Sequence, residues 1–412
     1  MQFGEPIRIV ATRTRMKTVL SVVMFFTVAM AAAFQQHPKS VPDPHRQQAL
    51  QLEQQGNVAE AEAAWMEVSK ANPRSPEPYA HLAVLKAHQQ DYKAAIPLYR
   101  KALALDPGKT AVRLNLGLAL FKAEQLKDAL VEFKALRKQA KADSPDAQRL
   151  DVLIGMCYYG LAEYANAVPY LKTAAERDQQ NSPLLLSLAH SCLWSKQLQC
   201  VMDTYHQILS INAESAEADM LAGEALDEMK DNEGSTKMFR AAVAANPKEP
   251  NVHFGLGYLL WTQKQYPEAL QQFQAELEND PNHAQSLVYL GDCYLQLNKP
   301  TEARPRLQKG LSLDSNQWLA SLDLGIIDSD AGRNEEALRE LNQAAKLKPD
   351  DVNVHWRLGR LLRTMGRKQE AQLELEKARK LNKAADEDLY KKIADGAKRG
   401  ATPATQENPP AQ

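Results

Sequence analysis

The chain has 412 residues, 44% hydrophobic and 7% aromatic, and its 50 Lys and Arg nearly balance its 51 Asp and Glu for a net charge of −1. That balance lacks the basic footprint a nucleic-acid binder needs and gives no charge-driven reason for a membrane partner. Length alone suggests two or three domains, an expectation that fails if the chain is a repeat array.

The N-terminus departs from the average. Arg8, Arg13, Arg15 and Lys17 precede an uncharged stretch from Thr18 to Phe34 that ends in Ala31-Ala32-Ala33. A basic flank, a short apolar core and small residues at its end are the parts of a secretory signal. The core is short for a membrane span, which needs ~20 apolar residues. The expectation is a signal over 1–33, cleaved near Ala33, with an uncleaved anchor over 18–34 as the alternative. Met16-Lys17 and the apolar run make a compact signal by themselves, so Met16 is the expected true start. No Cys follows the core, so a lipid anchor is not expected. A linker over 34–41 then leads to an exported, periplasmic or extracytoplasmic array.

From about Val41 to Lys383 the chain repeats. Pro73 and Pro107 lie 34 residues apart, as do Pro247 and Pro281. The series of closing turns continues through Pro145, Gln179, Ala213, Ser315, Pro349 and Lys383. Proline lacks an N–H and disfavours a helical residue before it, so these positions read as helix ends. Counting back gives ten units. The eighth residue of each is small: Ala49, Ala83, Gly117, Gly155, Ala189, Gly223, Gly257, Gly291, Gly325 and Gly359. The twentieth is Ala61, Ala95, Ala129, Ala167, Ala269, Ala303, Ala337 or Ala371 in eight units, with Val201 and Ser235 as exceptions. Small residues at a fixed phase let two helices approach closely. A lone helix pair cannot bury its apolar face, so the units must stack.

Leu116-Gly117, Leu256-Gly257, Leu290-Gly291, Leu324-Gly325 and Leu358-Gly359, the later alanine, the ring that follows it (Tyr99, Phe133, Tyr205, Phe239, Phe273) and the turn proline together resemble the tetratricopeptide repeat (TPR). The reading is a TPR-family protein of exported bacterial type. The resemblance implies an all-α solenoid, a right-handed superhelix of about ten helix-turn-helix repeats over 42–385. A capping helix is expected over 386–398 and a disordered tail over 399–412. The unit from Thr110 is four residues longer, which is expected to lengthen its second helix around Arg137–Lys141. The units holding Val201 and Ser235 are expected to be looser or differently curved.

No catalytic pattern stands up. Gly108-Lys109-Thr110 lacks the glycine a phosphate loop needs, since Leu103 holds that place. Gly310 to Asp314 fails the nucleophile-elbow pattern because Asp314 replaces the glycine. The His residues have no metal spacing, and Glu224, Asp227, Glu228 and Asp231 read as a solvated helix face. Neither an enzyme, nor a cofactor, nor a metal, nor a small-molecule substrate is expected. Cys157, Cys192, Cys200 and Cys293 match no zinc motif. Cys192 ends one helix and Cys200 starts the next, which puts a disulfide within reach. The alternative is two buried thiols.

In the family, first helices line a concave groove. Carried onto this chain, the groove positions hold Leu118 and Phe121, Met156 and Tyr159, His190 and Trp194, then Phe254, Tyr258 and Trp261, and finally Trp356, Arg360 and Arg363. Members that clamp acidic tails carry paired Lys and Asn there, and this chain has Ala80, Val84, Leu114, Leu118, Val152 and Met156 instead. The expected function is a non-catalytic protein-binding scaffold of the cell envelope, holding a peptide or helical segment in that groove. The alternative is a membrane-anchored adaptor that assembles an envelope complex for secretion, pili or polysaccharide export. The expected partner is a protein or peptide and not a nucleic acid, and contact with membrane comes only through an uncleaved N-terminal segment.

Overall fold

The structure, a computed structural model, describes residues 44–400. The signal and linker segments and residues 401–412 lie outside the described residues. Within them are twenty helices, in ten helix-turn-helix pairs, and no strand. The first six pairs are α1 (Pro44–Gln54) and α2 (Val58–Ala71), α3 (Pro76–His88) and α4 (Tyr92–Leu105), α5 (Thr110–Lys122) and α6 (Leu126–Gln139), α7 (Pro145–Gly160) and α8 (Tyr164–Arg177), α9 (Ser182–Trp194) and α10 (Leu198–Ile211), and α11 (Ala216–Glu228) and α12 (Asn232–Ala245). The last four are α13 (Val252–Thr262) and α14 (Tyr266–Asn279), α15 (Ala284–Gln296) and α16 (Pro300–Leu313), α17 (Trp318–Asp330) and α18 (Asn334–Leu347), and α19 (Val352–Thr364) and α20 (Lys368–Gly400). The chain divides between Asn246 and Pro247 into two compact units, the first holding α1–α12 and the second α13–α20.

Each pair is closed by the same contact. The eighth residue lies against the twenty-fourth, on the facing helix. A Cβ on Gly117 would sit 2.5 Å from the Phe133 ring, one on Gly257 2.8 Å from Phe273, and one on Gly291 2.6 Å from Leu307. Phe133, Phe273 and Leu307 are fully buried. The alanine at the twentieth place is buried in all eight units that have it.

The turn inside each pair is a left-handed C-cap. In the second pair Asp91 N–H donates to Lys86 O at 2.9 Å and Gln90 N–H to Ala87 O at 3.0 Å, the two bonds of a Schellman motif. Glycine fills the left-handed position at Gly56, Gly332 and Gly366. Elsewhere residues with a Cβ fill it: Gln90, Glu124, Ala162, Lys196, Lys230, Lys264 and Asn298, with φ between 58° and 66°. The pattern of paired helices is strong enough to hold these positions against their steric cost.

Four expectations are corrected here. The four extra residues of the unit from Thr110 do not lengthen its second helix, because α6 ends at Gln139. They lengthen the next first helix, α7, at its start. Ser144 caps that helix by accepting from Ala147 N–H at 3.2 Å, and Pro145 opens it. Proline suits a first helical position, where its missing N–H costs nothing, so Pro145 starts a helix and does not mark an end. The unit with Ser235 is not loosened: Ser235 is fully buried and its hydroxyl donates to Gly223 O at 2.8 Å, across the helix pair. Val201 is likewise fully buried. At the far end, no turn interrupts the chain at Lys383, since α20 runs unbroken through the segment expected to form a separate cap and closes at Gly400.

Two stability outcomes follow from these contacts. Gly257→Leu is expected to cost about 1–3 kcal/mol by overpacking against Phe273. Ala162→Gly relieves a left-handed residue at ~1–2 kcal/mol while giving back ~0.5–1 kcal/mol of chain entropy. It is therefore expected to stabilise slightly, and denaturant unfolding of both variants measures the two effects.

Candidate partner-binding surface

In the first unit, the structure packs most of the expected groove residues away. Phe121, Met156, Tyr159 and His190 are buried, and Leu118 and Trp194 are half-buried. Tyr159 meets His190 edge-on with ring centroids 6.1 Å apart, and His190 Nε2 lies 3.2 Å from the Glu217 carboxylate of the next first helix. Trp194 leans on Tyr164 at 5.1 Å. In the second unit, Phe254 and Tyr258 are buried and Trp261 is half-buried. Tyr258 stacks on Trp261 at 5.9 Å, and Trp261 stands edge-on to Tyr289 at 4.9 Å. Most of these residues, expected to line a groove, are thus buried, and Leu118, Trp194 and Trp261 are half-buried. Trp261, at the twelfth place of its unit, packs on Tyr289 and Asp292 at the sixth and ninth places of the next.

The terminal first helix is different. Trp356 on α19 is 39% exposed, and Arg360 and Arg363 are exposed. Trp356 is the only aromatic side chain in the exposed class among the described residues. The Arg360 guanidinium lies 4.7 Å above its ring and that of Arg357 5.3 Å. These residues occupy the fifth, ninth and twelfth places of their unit. In each of the nine earlier units the same three places are buried or half-buried.

A polar network that the sequence reading missed runs beneath this row in the second unit. Trp261 Nε1 donates to Asp292 Oδ2 at 2.5 Å, and Gln296 Nε2 donates to Asp292 Oδ1 at 3.1 Å. Asp292 and Asp323 are both buried and hydrogen-bonded to each other. Two carboxyls can make that bond only by sharing a proton. Burial, then the neighbouring carboxylate, push Asp323 well above the usual carboxylate range, and burial raises Asp292. Asp292 already accepts two bonds, so Asp323 holds the proton. Its Oδ2 and the buried Nε of Arg357 have no hydrogen-bond partner. The available signal was a charged residue on the apolar face of a first helix, with Asp292 directly after Gly291 and Asp323 two residues before Gly325.

The remaining chemistry is structural. The acidic residues of α11 are drawn apart, with Glu228 paired to Lys196 and Asp231 capping α12 through Gly234 N–H at 2.9 Å. Among the described residues no three His, Cys, Asp or Glu gather as a metal site. Cys192 and Cys200 are joined as a disulfide between α9 and α10, with Cα atoms 5.8 Å apart. Burial pushes the Cys157 and Cys293 thiols up, away from the reactive thiolate form.

Models of the tetratricopeptide repeat match residues 46–110, 86–151, 152–181, 220–284, 260–322, 328–366 and 352–384. They cover well over half of the chain, which belongs to the tetratricopeptide-repeat family. It is 25% identical over 58% of its length to "Tetratricopeptide repeat protein 1" of Schizosaccharomyces pombe, and 24% identical over 62% to the "RNA polymerase-associated protein CTR9" of Caenorhabditis elegans. The chain spans 24% of the length of each of those relatives. A tetratricopeptide repeat protein from Parabacteroides merdae has a similar structure, with a TM-score of 0.48 and 15% identity, matched over 61% of this chain and 98% of that one. Proteins of this family generally mediate protein–protein interactions.

The shared proton sets a pH dependence. The unfolded chain releases its Asp protons near pH ~4, and the folded pair keeps one to higher pH. This contribution to stability is fully present below the unfolded value and is lost as pH rises through the folded one. Asp323→Asn keeps a donor toward Asp292 without a titrating proton. Its melting temperature, relative to the unaltered chain, is expected to rise as pH increases above the ordinary carboxylate range; a difference that does not change with pH would remove the shared proton from the account.

Proposed function

We propose that this chain is a non-catalytic scaffold of the cell envelope that holds a peptide or helical segment of a partner protein on its first helices. The observation that carries the reading is the array of ten helix pairs itself. It leaves a solvent-facing surface at α19. The location is supported by the sequence of residues 1–33, with its basic flank, apolar core and Ala31-Ala32-Ala33 end. The Cys192–Cys200 bridge fits the same reading, because disulfides persist in oxidising compartments. The second reading, a membrane-anchored adaptor, is favoured by the apolar stretch from Thr18 to Phe34 if that stretch is retained.

N-terminal sequencing of the mature protein separates the two: a start at or near Phe34 means release from the membrane, and retention of 18–34 means an anchor. Capture with the unaltered chain from envelope and cytosolic extracts is expected to enrich a protein partner from the envelope alone. A partner set drawn only from the cytosol sinks the envelope role. Thiol titration of the denatured, unreduced protein is expected to find only Cys157 and Cys293 reactive; reaction at Cys192 and Cys200 as well removes the support the bridge gives.

A further inference from the structure

Several consecutive first helices in this chain are joined by polar contacts, most of them with the donor on the earlier unit. Arg46 on α1 donates to the Glu77 carboxylate on α3 at 2.6 and 2.8 Å. His190 on α9 faces Glu217 on α11 at 3.2 Å. Lys196, in the turn after α9, pairs with Glu228 on α11. Trp261 on α13 donates to Asp292 on α15 at 2.5 Å. In each case the earlier unit supplies the donor and the following first helix supplies the carboxylate. Two contacts run the other way, from His81 on α3 to Glu53 on α1 and from protonated Asp323 on α17 to Asp292 on α15.

The helix α19 is the last first helix among the described residues, and it is built as a donor. Its 13 residues include three arginines and no Asp or Glu. Trp356, Arg360 and Arg363 stand exposed at three places that are buried or half-buried in the earlier units. Among the described residues, neither Arg360 nor Arg363 has a carboxylate partner, whereas Arg46, Arg100, Arg113, Arg137, Arg304 and Arg333 all have one.

We propose that this face of α19 docks an acidic amphipathic helix of a partner protein, seated where the first helix of a further repeat would lie. The helix presents an apolar side chain to the Trp356 ring and carboxylates to Arg360 and Arg363. Charge complementarity selects this occupant over a second copy stacked head to tail. The leading helix of such a copy, α1, carries Arg46 and His45, and its Glu53 is already held by Trp65 and His81. Arginine suits the role because its planar fork binds a carboxylate through two parallel hydrogen bonds. The proposal rests on the scaffold reading above and names the chemistry of its partner.

The test uses the full chain and two labelled helical peptides, one of Leu and Glu in an amphipathic pattern and one with every Glu replaced by Gln, read by fluorescence anisotropy. The Glu peptide is expected to bind and the Gln peptide to bind at least about tenfold more weakly. The Arg360→Gln, Arg363→Gln double variant is expected to weaken binding of the Glu peptide by a similar factor, as is Trp356→Ala, while Arg149→Gln on α7 leaves it unchanged. All are surface changes, and circular dichroism confirms that each variant is folded. Equal binding of the two peptides, or undiminished binding by the double variant, overturns the proposal. So does a concentration-dependent dimer of the unaltered chain that the double variant abolishes, which assigns the face to a second copy. If the peptide result is negative while envelope capture still returns a partner, this inference alone fails and the scaffold reading stands.

Discussion

The contact between the eighth residue of each first helix and the twenty-fourth residue of its unit is the constraint from which the architecture is built. At Gly117, Gly223 and Gly257 the facing side chain is a phenylalanine, and at Gly155, Gly291, Gly325 and Gly359 it is a leucine. The distances leave no room for a Cβ without movement of that side chain. The two helices of a pair therefore approach as closely as the backbone allows, and large apolar side chains close the space around them. Where alanine replaces glycine, at Ala49, Ala83 and Ala189, a Trp or Tyr occupies the facing place, and the ring edge accommodates one methyl.

A fold made of one contact repeated is stabilised by neighbours, so each unit is defined by what lies before and after it. This explains why residues that line a groove in the general description of the family are packing residues here. Tyr159 and Tyr258 pack on His190 and Tyr289 of the next first helix. It also explains the buried Asp292–Asp323 pair. A carboxyl buried between such helices has no water to ionise into, so it keeps a proton and a partner. At α19 the same positions are exposed.

The period, the helix pairs and their number could be read from the spacing of Gly, Ala and Pro, because each of these residues has a steric role that does not depend on remote neighbours. Turn chemistry was harder to read. Gln90, Glu124 and Ala162 give no local sign of a left-handed conformation, which the two flanking helices impose. Pro145 was ambiguous for a related reason: a proline closes one helix or opens another, and the Ser144 cap decided between them. Ser235 stood out as an exception to an alanine rule, yet its hydroxyl finds the Gly223 carbonyl only when the two helices meet.

Sequence by itself determined the fold class and the register of every unit, since close approach of helices demands small residues at a fixed phase and that phase is written along the chain. Tertiary structure alone decided which of the aromatic and charged residues at equivalent positions are buried and which are presented. Trp261 and Arg363 both hold the twelfth place of their units. One has a following helix whose Asp292 takes its indole N–H, and the other is exposed with no carboxylate partner among the described residues. That difference lies in the neighbour, and a neighbour is a property of the assembled chain.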